Sequence, residues 1–191
     1  MRKIVLMMSV SLDGYMEGPA REIAWHRVDD ELHQHMNDEI RMMGGFLDGR
    51  VTHELMSDYW PTADADPACT PVTAEFAGIW REMPKIVFSR TLKPGPAPWH
   101  TTVMPEVAPE AIRALKELPG GDLCLGGADL AATFLKHDLV DESRIYVHPV
   151  LVGAGKQTFP VTEFAPRTLR LVESRTFGNG VVLLRHAWDA Q

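Results

Sequence analysis

A pair of glycines, Gly126 and Gly127, stands between a short apolar run and a segment whose apolar residues recur at helical spacing. This order predicts a buried strand that turns through the glycines directly into a helix. Because glycine lacks a Cβ atom and tolerates positive φ, a ligand can approach the backbone at such a turn. The helix beyond it presents unpaired N–H groups and the positive end of its dipole, which suit a phosphate. A tight turn that only connects packed elements is the alternative, and glycine pairs serve that purpose more often.

Two further predicted strands end in residues suited to the same ligand. Gly49 and Arg50 follow a short strand at 46–47 and open a helix, and Arg90 follows a strand at 85–88. In open α/β sheets ligands bind outside the carboxyl ends of the strands, so these segments are predicted to converge on one extended ligand. The planar guanidinium groups of the two arginines suit a further phosphate, although a single surface arginine is usually a solvated charge.

Three polar side chains are candidates for the reacting end of the site. Asp13 leaves the first predicted strand, but it is equally suited to a turn in which it bonds its own backbone. Asp30 stands at the start of the first predicted helix, where a role as N-cap is favoured over a catalytic one. His148 precedes Pro149 and is either a functional group or a buried histidine with satisfied hydrogen bonds.

Length and composition are those of an ordinary globular protein. The chain has 191 residues, of which 45% are hydrophobic and 24% charged, so residues 1–191 are predicted to form one domain with a substantial core. The formal net charge of −7 argues against a nucleic-acid surface, which would show a clustered basic excess.

Neither a metal site nor a membrane segment is expected. The two cysteines, Cys69 and Cys124, form no C-x-x-C pair, and His33 and His35 would diverge on a helix. No apolar run is long enough to span a bilayer. The N-terminal apolar run is broken by Ser9 and is followed by no small-residue cleavage site, so the protein is expected in the cytoplasm.

Several nucleotide-binding and catalytic signatures are absent from the sequence. It contains neither the G-x-G-x-x-G fingerprint nor the G-x-x-x-x-G-K-[ST] loop, so a Rossmann or Walker site is not supported. The missing G-x-S-x-G elbow weakens a hydrolase hypothesis, and the missing H-x-E with P-C-x-x-C excludes a zinc deaminase on motif grounds.

Strands that alternate with helices, followed by a terminal hairpin, predict an α/β fold with a central, mostly parallel sheet flanked by helices and a C-terminal antiparallel hairpin. Strands are expected at 4–10, 46–47, 85–88, about 101–104, just before Gly126, at 144–152, about 169–177 and about 181–188. Helices are expected from Asp29 or Asp30 to about Met43, at 52–58, about 72–81 and about 109–118, and after Gly127. Loops are expected at 15–27, 61–71 and around 94–98.

The motifs and their order resemble those of a known family, the reductase domain of the riboflavin-biosynthesis deaminase/reductase, which shares the dihydrofolate reductase fold. The matching segments span nearly the whole chain: MSVSLDG at 8–14, LDGR at 47–50, VFSRT at 87–91, LGGADL at 125–130, HPVLVGAGK at 148–156 and GVVLLR at 180–185.

The resemblance implies an NADPH-dependent reductase that acts on a small heterocycle of the pterin or pyrimidine type, commonly as a homodimer. By carry-over from the family, Ser9 and Met16 would line the nicotinamide, and Arg50, Ser89 and Arg90 would hold the 2′-phosphate. The pyrophosphate would lie against two segments, namely Gly49, Arg50, Val51 and Thr52 in the first and Gly126, Gly127, Ala128, Asp129 and Leu130 in the second.

The chain also departs from the family's pattern. Riboflavin-pathway members carry a glutamate just before the two glycines, where this chain has Leu125, and Asp48 stands where a hydrophobic residue is usual. The acid that serves the pterin in dihydrofolate reductases is matched only loosely by Asp30. We expect a stand-alone member without the deaminase domain. The competing hypothesis is a binding or sensor protein that keeps the cofactor fold without turnover.

Overall fold

The protein alternates short strands with helices along most of its length. The structure, a computed structural model, describes residues 1–159 and 166–188, so part of the predicted domain at 160–165 and 189–191 lies outside the described residues. The strands are β1 (Ile4–Ser11), β2 (Tyr15–Glu17), β3 (Gly45–Gly49), β4 (Lys85–Phe88), β5 (Gly95–Ala97), β6 (Thr101–Met104), β7 (Leu123–Leu125), β8 (Glu142–His148), β9 (Lys156–Gln157), β10 (Arg170–Thr176) and β11 (Val182–Ala187). The helices are α1 (Asp30–Arg41), α2 (Arg50–Tyr59), α3 (Pro71–Glu82), α4 (Pro109–Glu117) and α5 (Ala128–Lys136), with a 3-10 helix at Trp60–Ala65.

Nine of these strands form one sheet in the order β10-β11-β8-β1-β7-β3-β4-β6-β5. The six strands from β8 to β6 in that order run parallel, so their carboxyl ends lie along the same edge. The hairpin β10–β11 and the edge strand β5 are antiparallel to their neighbours, and β2 pairs with β9 in a separate small sheet. The predicted α/β fold with a mostly parallel sheet and a C-terminal hairpin is confirmed.

Helices cover both faces of this sheet. Adjacent residues of one strand point to opposite faces, and neighbours such as Phe46 and Leu47 accordingly belong to different apolar clusters. Leu47 lies in the cluster that contains Phe134 of α5, whereas Phe46 lies in the cluster that contains Trp80 of α3. The sheet is thus packed between two layers of helices, and the loops at its carboxyl ends start from this packed core.

The structure at the start of α1 shows which of the two predicted residues, Asp29 or Asp30, is the N-cap. The Asp29 carboxylate accepts a hydrogen bond from the Leu32 N–H at 3.0 Å, so Asp29 is the N-cap. Asp30 lies in the first helical turn, where a negative charge complements the helix dipole. Leu32 and Ile40 are the buried apolar residues of the helix.

The three predicted loops each contain a short regular element. The loop at 15–27 includes β2, the loop at 61–71 includes most of the 3-10 helix, and the loop around 94–98 includes β5. The prolines around 94–98 predicted a loop, but proline is also compatible with an edge strand such as β5. The predicted extension of β8 through 149–152 is wrong, since the strand ends at His148.

None of the helices in the described part of the chain is long and apolar enough to cross a membrane.

Candidate functional site

A cleft of about 530 Å³ lies at the carboxyl edge of the parallel strands β3, β4, β6 and β7. All but two of the predicted cofactor-binding residues line it: Met16, Gly49, Arg50, Val51, Thr52, Ser89, Arg90, Gly127, Ala128, Asp129 and Leu130. Ser9 and Gly126 are not among the residues that line the cleft. The sheet topology therefore brings together three segments that are far apart in the sequence.

Two helices begin at the cleft. Gly49 is the N-cap of α2 and Gly127 is the N-cap of α5, and neither helix start receives a side-chain capping bond. The first-turn N–H groups of an α-helix have no partners within the helix. Two sets of such N–H groups thus face one cleft, which gives it the character of an anion-binding site.

The two glycines after β7 also serve the packing of the turns against each other. The Gly126 N–H donates to the Leu47 carbonyl at 3.0 Å. A Cβ atom at Gly126 would lie 3.0 Å from Asp48 Oδ1, and one at Gly127 would lie 2.7 Å from Thr52 Oγ1. The space that a side chain would need at Gly127 is therefore occupied by the protein itself, which is a reason for glycine here that needs no ligand.

The two predicted arginines differ in their surroundings. Arg50 forms an ion pair with Glu54 one helical turn further on, at 2.6 Å, and both side chains are partly exposed. Arg90 has no hydrogen-bond or ion-pair partner in the part of the chain that the structure describes. Its turn is ordered by Ser89, whose Oγ accepts from the N–H groups of Thr91 and Leu92 at 3.2 and 3.0 Å.

Lys156 was not a predicted site residue, but it also lines the cleft. It follows the glycines of the GAGK segment and lies in β9, whose pairing with β2 brings it beside the start of α5. Its Nζ contacts the Asp129 carboxylate at 2.5 Å. Glu17 and Glu106 are two further lining residues that no sequence signal indicated.

Asp13 is engaged with the loop after β8. Its carboxylate accepts from the N–H groups of Val152 and Gly153 at 3.1 and 2.7 Å and from the Ser11 hydroxyl at 2.6 Å. The Ser11 hydrogen bond is the main cause that lowers the pKa of Asp13. This geometry gives Asp13 a structural role in holding the loop after β8, and Asp13 is not among the residues that line the cleft.

His148 is fully buried at the end of β8. Its Nδ1 accepts from the Arg27 N–H at 2.9 Å, and its ring stacks on His26 with centroids 5.1 Å apart. Burial, followed by the charges of His26 and Arg27, lowers the pKa of His148 to about 4. The imidazole is therefore neutral near pH 7 and carries its proton on Nε2, which has no hydrogen-bond partner among the described residues.

Asp48 is a buried carboxyl directly beneath the glycine turn. It is 5% exposed, and burial raises the pKa of Asp48 to about 7 against the opposing charge of Lys85. The Lys85 ammonium donates to the carbonyl oxygens of Trp80, Met83 and Trp99. Asp48, which stands where a hydrophobic residue is usual, thus places an ionisable group under the candidate site.

A parallel sheet with a cleft across its carboxyl edge defines an open α/β protein. The chain belongs to the RibD C-terminal domain family, whose sequence profile matches residues 2–183. The resemblance to the reductase domain of the riboflavin-biosynthesis protein is confirmed. The chain is also 33% identical, over 189 residues, to YyaP, an uncharacterised protein of Bacillus subtilis (strain 168), with 98% of this chain and 96% of YyaP covered.

Solved structures share the fold. A protein of Shewanella sp. PV-4, assigned provisionally to riboflavin biosynthesis, superposes with a TM-score of 0.74 at 19% identity, over 98% of this chain and 99% of that one. The diaminohydroxyphosphoribosylaminopyrimidine deaminase/5-amino-6-(5-phosphoribosylamino)uracil reductase of Thermotoga maritima gives a TM-score of 0.68 at 18% identity, over 98% of this chain and 57% of that one. These similarities show a reductase-like fold.

Proposed function

We propose that the protein is an NADPH-dependent reductase that transfers hydride to a small unsaturated or carbonyl-bearing heterocycle of the pterin or pyrimidine type. The observation that carries this proposal is the meeting of two helix N-termini, neither capped by a side chain, in one cleft beside Arg90. A dinucleotide phosphate has the matching chemistry, because its pyrophosphate accepts from the N–H groups while the arginine holds the third phosphate. Family membership supports the same assignment.

The residues of the cleft fit such a cofactor. Its volume of about 530 Å³ lies within the usual range of small-molecule sites. Met16 packs on the main apolar cluster beside the cleft and offers an apolar surface for the nicotinamide. The bound cofactor would supply the hydride, and the chain's residues would bind it and orient it against the substrate.

The three candidates at the reacting end receive different roles. Asp13 holds the loop after β8 through Val152 and Gly153, and His148 holds the segment before α1 through the Arg27 N–H. We propose that both position the substrate end of the site. Asp30 makes no hydrogen bond through its carboxyl within the described residues, and we retain it as the candidate proton donor. Because this acid is matched only loosely to that of dihydrofolate reductases, dihydrofolate should be a poor substrate.

The experiment is a titration of the purified protein with NADPH and NADH, followed by NADPH oxidation assays over a panel of pterins, pyrimidines, flavin precursors and quinones. Tight NADPH binding with turnover of one class supports the proposal. Absence of NADPH binding to folded protein overturns it. Robust dihydrofolate turnover that is abolished in Asp30→Asn would show that the substrate assignment is wrong.

The second candidate function is a binding or sensor protein that keeps the fold without turnover. One observation favours it: Asp13, Asp30 and His148 are all absent from the lining of the cleft. NADPH binding without oxidation of the cofactor by any member of the panel would support this alternative.

We also propose that the protein forms a homodimer, as the family resemblance implies, and that it is located in the cytoplasm. Light scattering of the purified protein tests the first, and fractionation of the source cells tests the second.

A further inference from the structure

Two cavities meet at a single ion pair. The cleft of about 530 Å³ and a second cavity of about 460 Å³, which extends over 153–157 beside Tyr15, share Asp129 and Lys156 in their linings. The Lys156 ammonium lies 2.5 Å from the Asp129 carboxylate. The pair therefore lies where the linings of the two cavities meet.

The backbone that carries Lys156 is fixed on two sides. The β2–β9 ladder pairs Lys156 with Glu17, and the preceding loop is tied to Asp13 through the N–H groups of Val152 and Gly153. The side chain itself is 37% exposed and ends in an ammonium with three donors. Lys156 can thus exchange partners by a change of rotamer, with no movement of its strand.

Asp129 lies at the N-terminus of α5, where the helix would attract an anionic ligand. It lies in the first turn of α5, where a carboxylate is stabilised by the helix dipole, and its side chain is 79% exposed. A phosphate that approached the N–H groups of this turn would be repelled by that carboxylate unless a cation neutralised it. An ion pair this exposed contributes little to stability, so its disruption is cheap.

We propose that Lys156 is a further binding residue of this site. When the ligand binds, the Lys156 ammonium moves from the Asp129 carboxylate to an anionic group of the ligand. Asp129 holds the lysine in place in the free protein and opposes the anion when it binds. The inference rests on the proposed function, because it takes the anion to belong to the dinucleotide.

A purely structural ion pair makes a different prediction from an exchanging one. If the pair only fastened β9 to α5, removal of either partner would loosen the same contact and change ligand affinity in the same direction. If Lys156 moves to the ligand, removal of the lysine removes an attraction, whereas removal of the Asp129 charge removes a competitor. The two single variants should then act in opposite directions.

The experiment is a fluorescence titration with NADPH of the wild-type protein, Lys156→Met, Asp129→Asn and the double variant. The chain offers matched controls in Arg113→Met and Glu110→Gln, because Glu110 is a first-turn acid of α4 that pairs with Arg113 at 2.7 Å on the surface. Thermal melts establish that every variant is folded.

Lys156→Met should weaken NADPH binding about tenfold, and Asp129→Asn should strengthen it about threefold, while both controls stay within about twofold of the wild type. A shift of the two single variants in the same direction overturns the inference and leaves the proposed function standing. Failure of the folded wild-type protein to bind NADPH overturns both.

Discussion

Thr52 Oγ1 lies 2.7 Å from the position that a Cβ atom on Gly127 would occupy, so the turn after β3 and the turn after β7 are packed against each other. Gly127 also has a φ of +86°, which side-chain-bearing residues rarely adopt. Two independent costs therefore oppose any substitution at this glycine.

Gly127→Ala should lower the free energy of unfolding by roughly 1–3 kcal/mol from backbone strain alone, with the contact to Thr52 added. Gly14→Ala is the matched control, because Gly14 has a φ of +90° and nothing lies within 4 Å of its Cβ position. Urea denaturation of both variants separates strain from contact.

Thr52→Ala should partly rescue Gly127→Ala and leave Gly14→Ala unchanged, with a coupling on the order of 1 kcal/mol. Equal losses in the two glycine variants, with no rescue, would show that the two turns do not constrain each other.

Arg90→Ala should weaken NADPH binding more than Arg50→Ala. Arg90 has no partner among the described residues, whereas Glu54 already neutralises Arg50. A charge-assisted contact contributes about 1.5–3 kcal/mol, which corresponds to about 10–100-fold in affinity. Calorimetric titration should show this loss for NADPH and little change for NADH.

Glu54→Gln is the companion variant, since it frees Arg50 and should strengthen NADPH binding. If Arg90→Ala lowers the affinity for NADPH and for NADH equally, Arg90 does not contact the 2′-phosphate.

Asp48 should make the protein less stable as the pH rises. Burial raises its pKa to about 7 in the folded protein, from an ordinary value of 3.8. The folded state therefore binds more protons between these two values, and the stabilising contribution, complete below the lower value, is lost as the pH rises through the upper one. Lys85 and Cys124 are the ionisable groups that interact with it.

Asp48→Asn removes this dependence and should be more stable than the wild type at about pH 8, by on the order of 1–3 kcal/mol. Urea denaturation at about pH 5 and about pH 8 measures the difference. A variant that is less stable than the wild type at the higher pH would indicate a net favourable interaction between Asp48 and Lys85.

His148 should remain neutral throughout the physiological range. Its pKa is lowered to about 4, so its contribution to stability is present above the ordinary histidine value of 6.5 and is lost as the pH falls towards 4. Nitrogen-detected imidazole spectra should show an unprotonated Nδ1 and a protonated Nε2 from about pH 5.5 to about pH 8. His148→Leu assigns the signal, and a titration of that signal near pH 6.5 would contradict the buried, neutral state.

The elements and their order were predictable from local patterns. The apolar run before Gly126 and the helical spacing after Gly127 predicted β7 and α5, because strand and helix periods are properties of a few consecutive residues. The alternation of such segments predicted a parallel sheet, and parallel strands bring their carboxyl ends to one edge. The cleft between Gly49, Arg90 and Gly127 follows from these steps.

Short elements and buried polar groups were less accessible to sequence reasoning. β5 is stabilised by pairing with the adjacent strand β6, and β9 by pairing with β2 from a distant part of the chain, whereas their own residues carry turn signals. Asp48 stood out in the sequence, but only the packing around it shows that the carboxyl is buried and that its pKa is raised.

The sequence by itself determined the class of fold, the family motifs and the segments that form the cleft, because these depend on residue type and local spacing. Only the tertiary structure decided how individual side chains are engaged: Asp13 holds the loop after β8, Thr52 occupies the space beside Gly127, and Lys156 reaches Asp129. Such contacts join residues far apart in the chain, and no local pattern encodes the distance between them until the sheet and helices have packed.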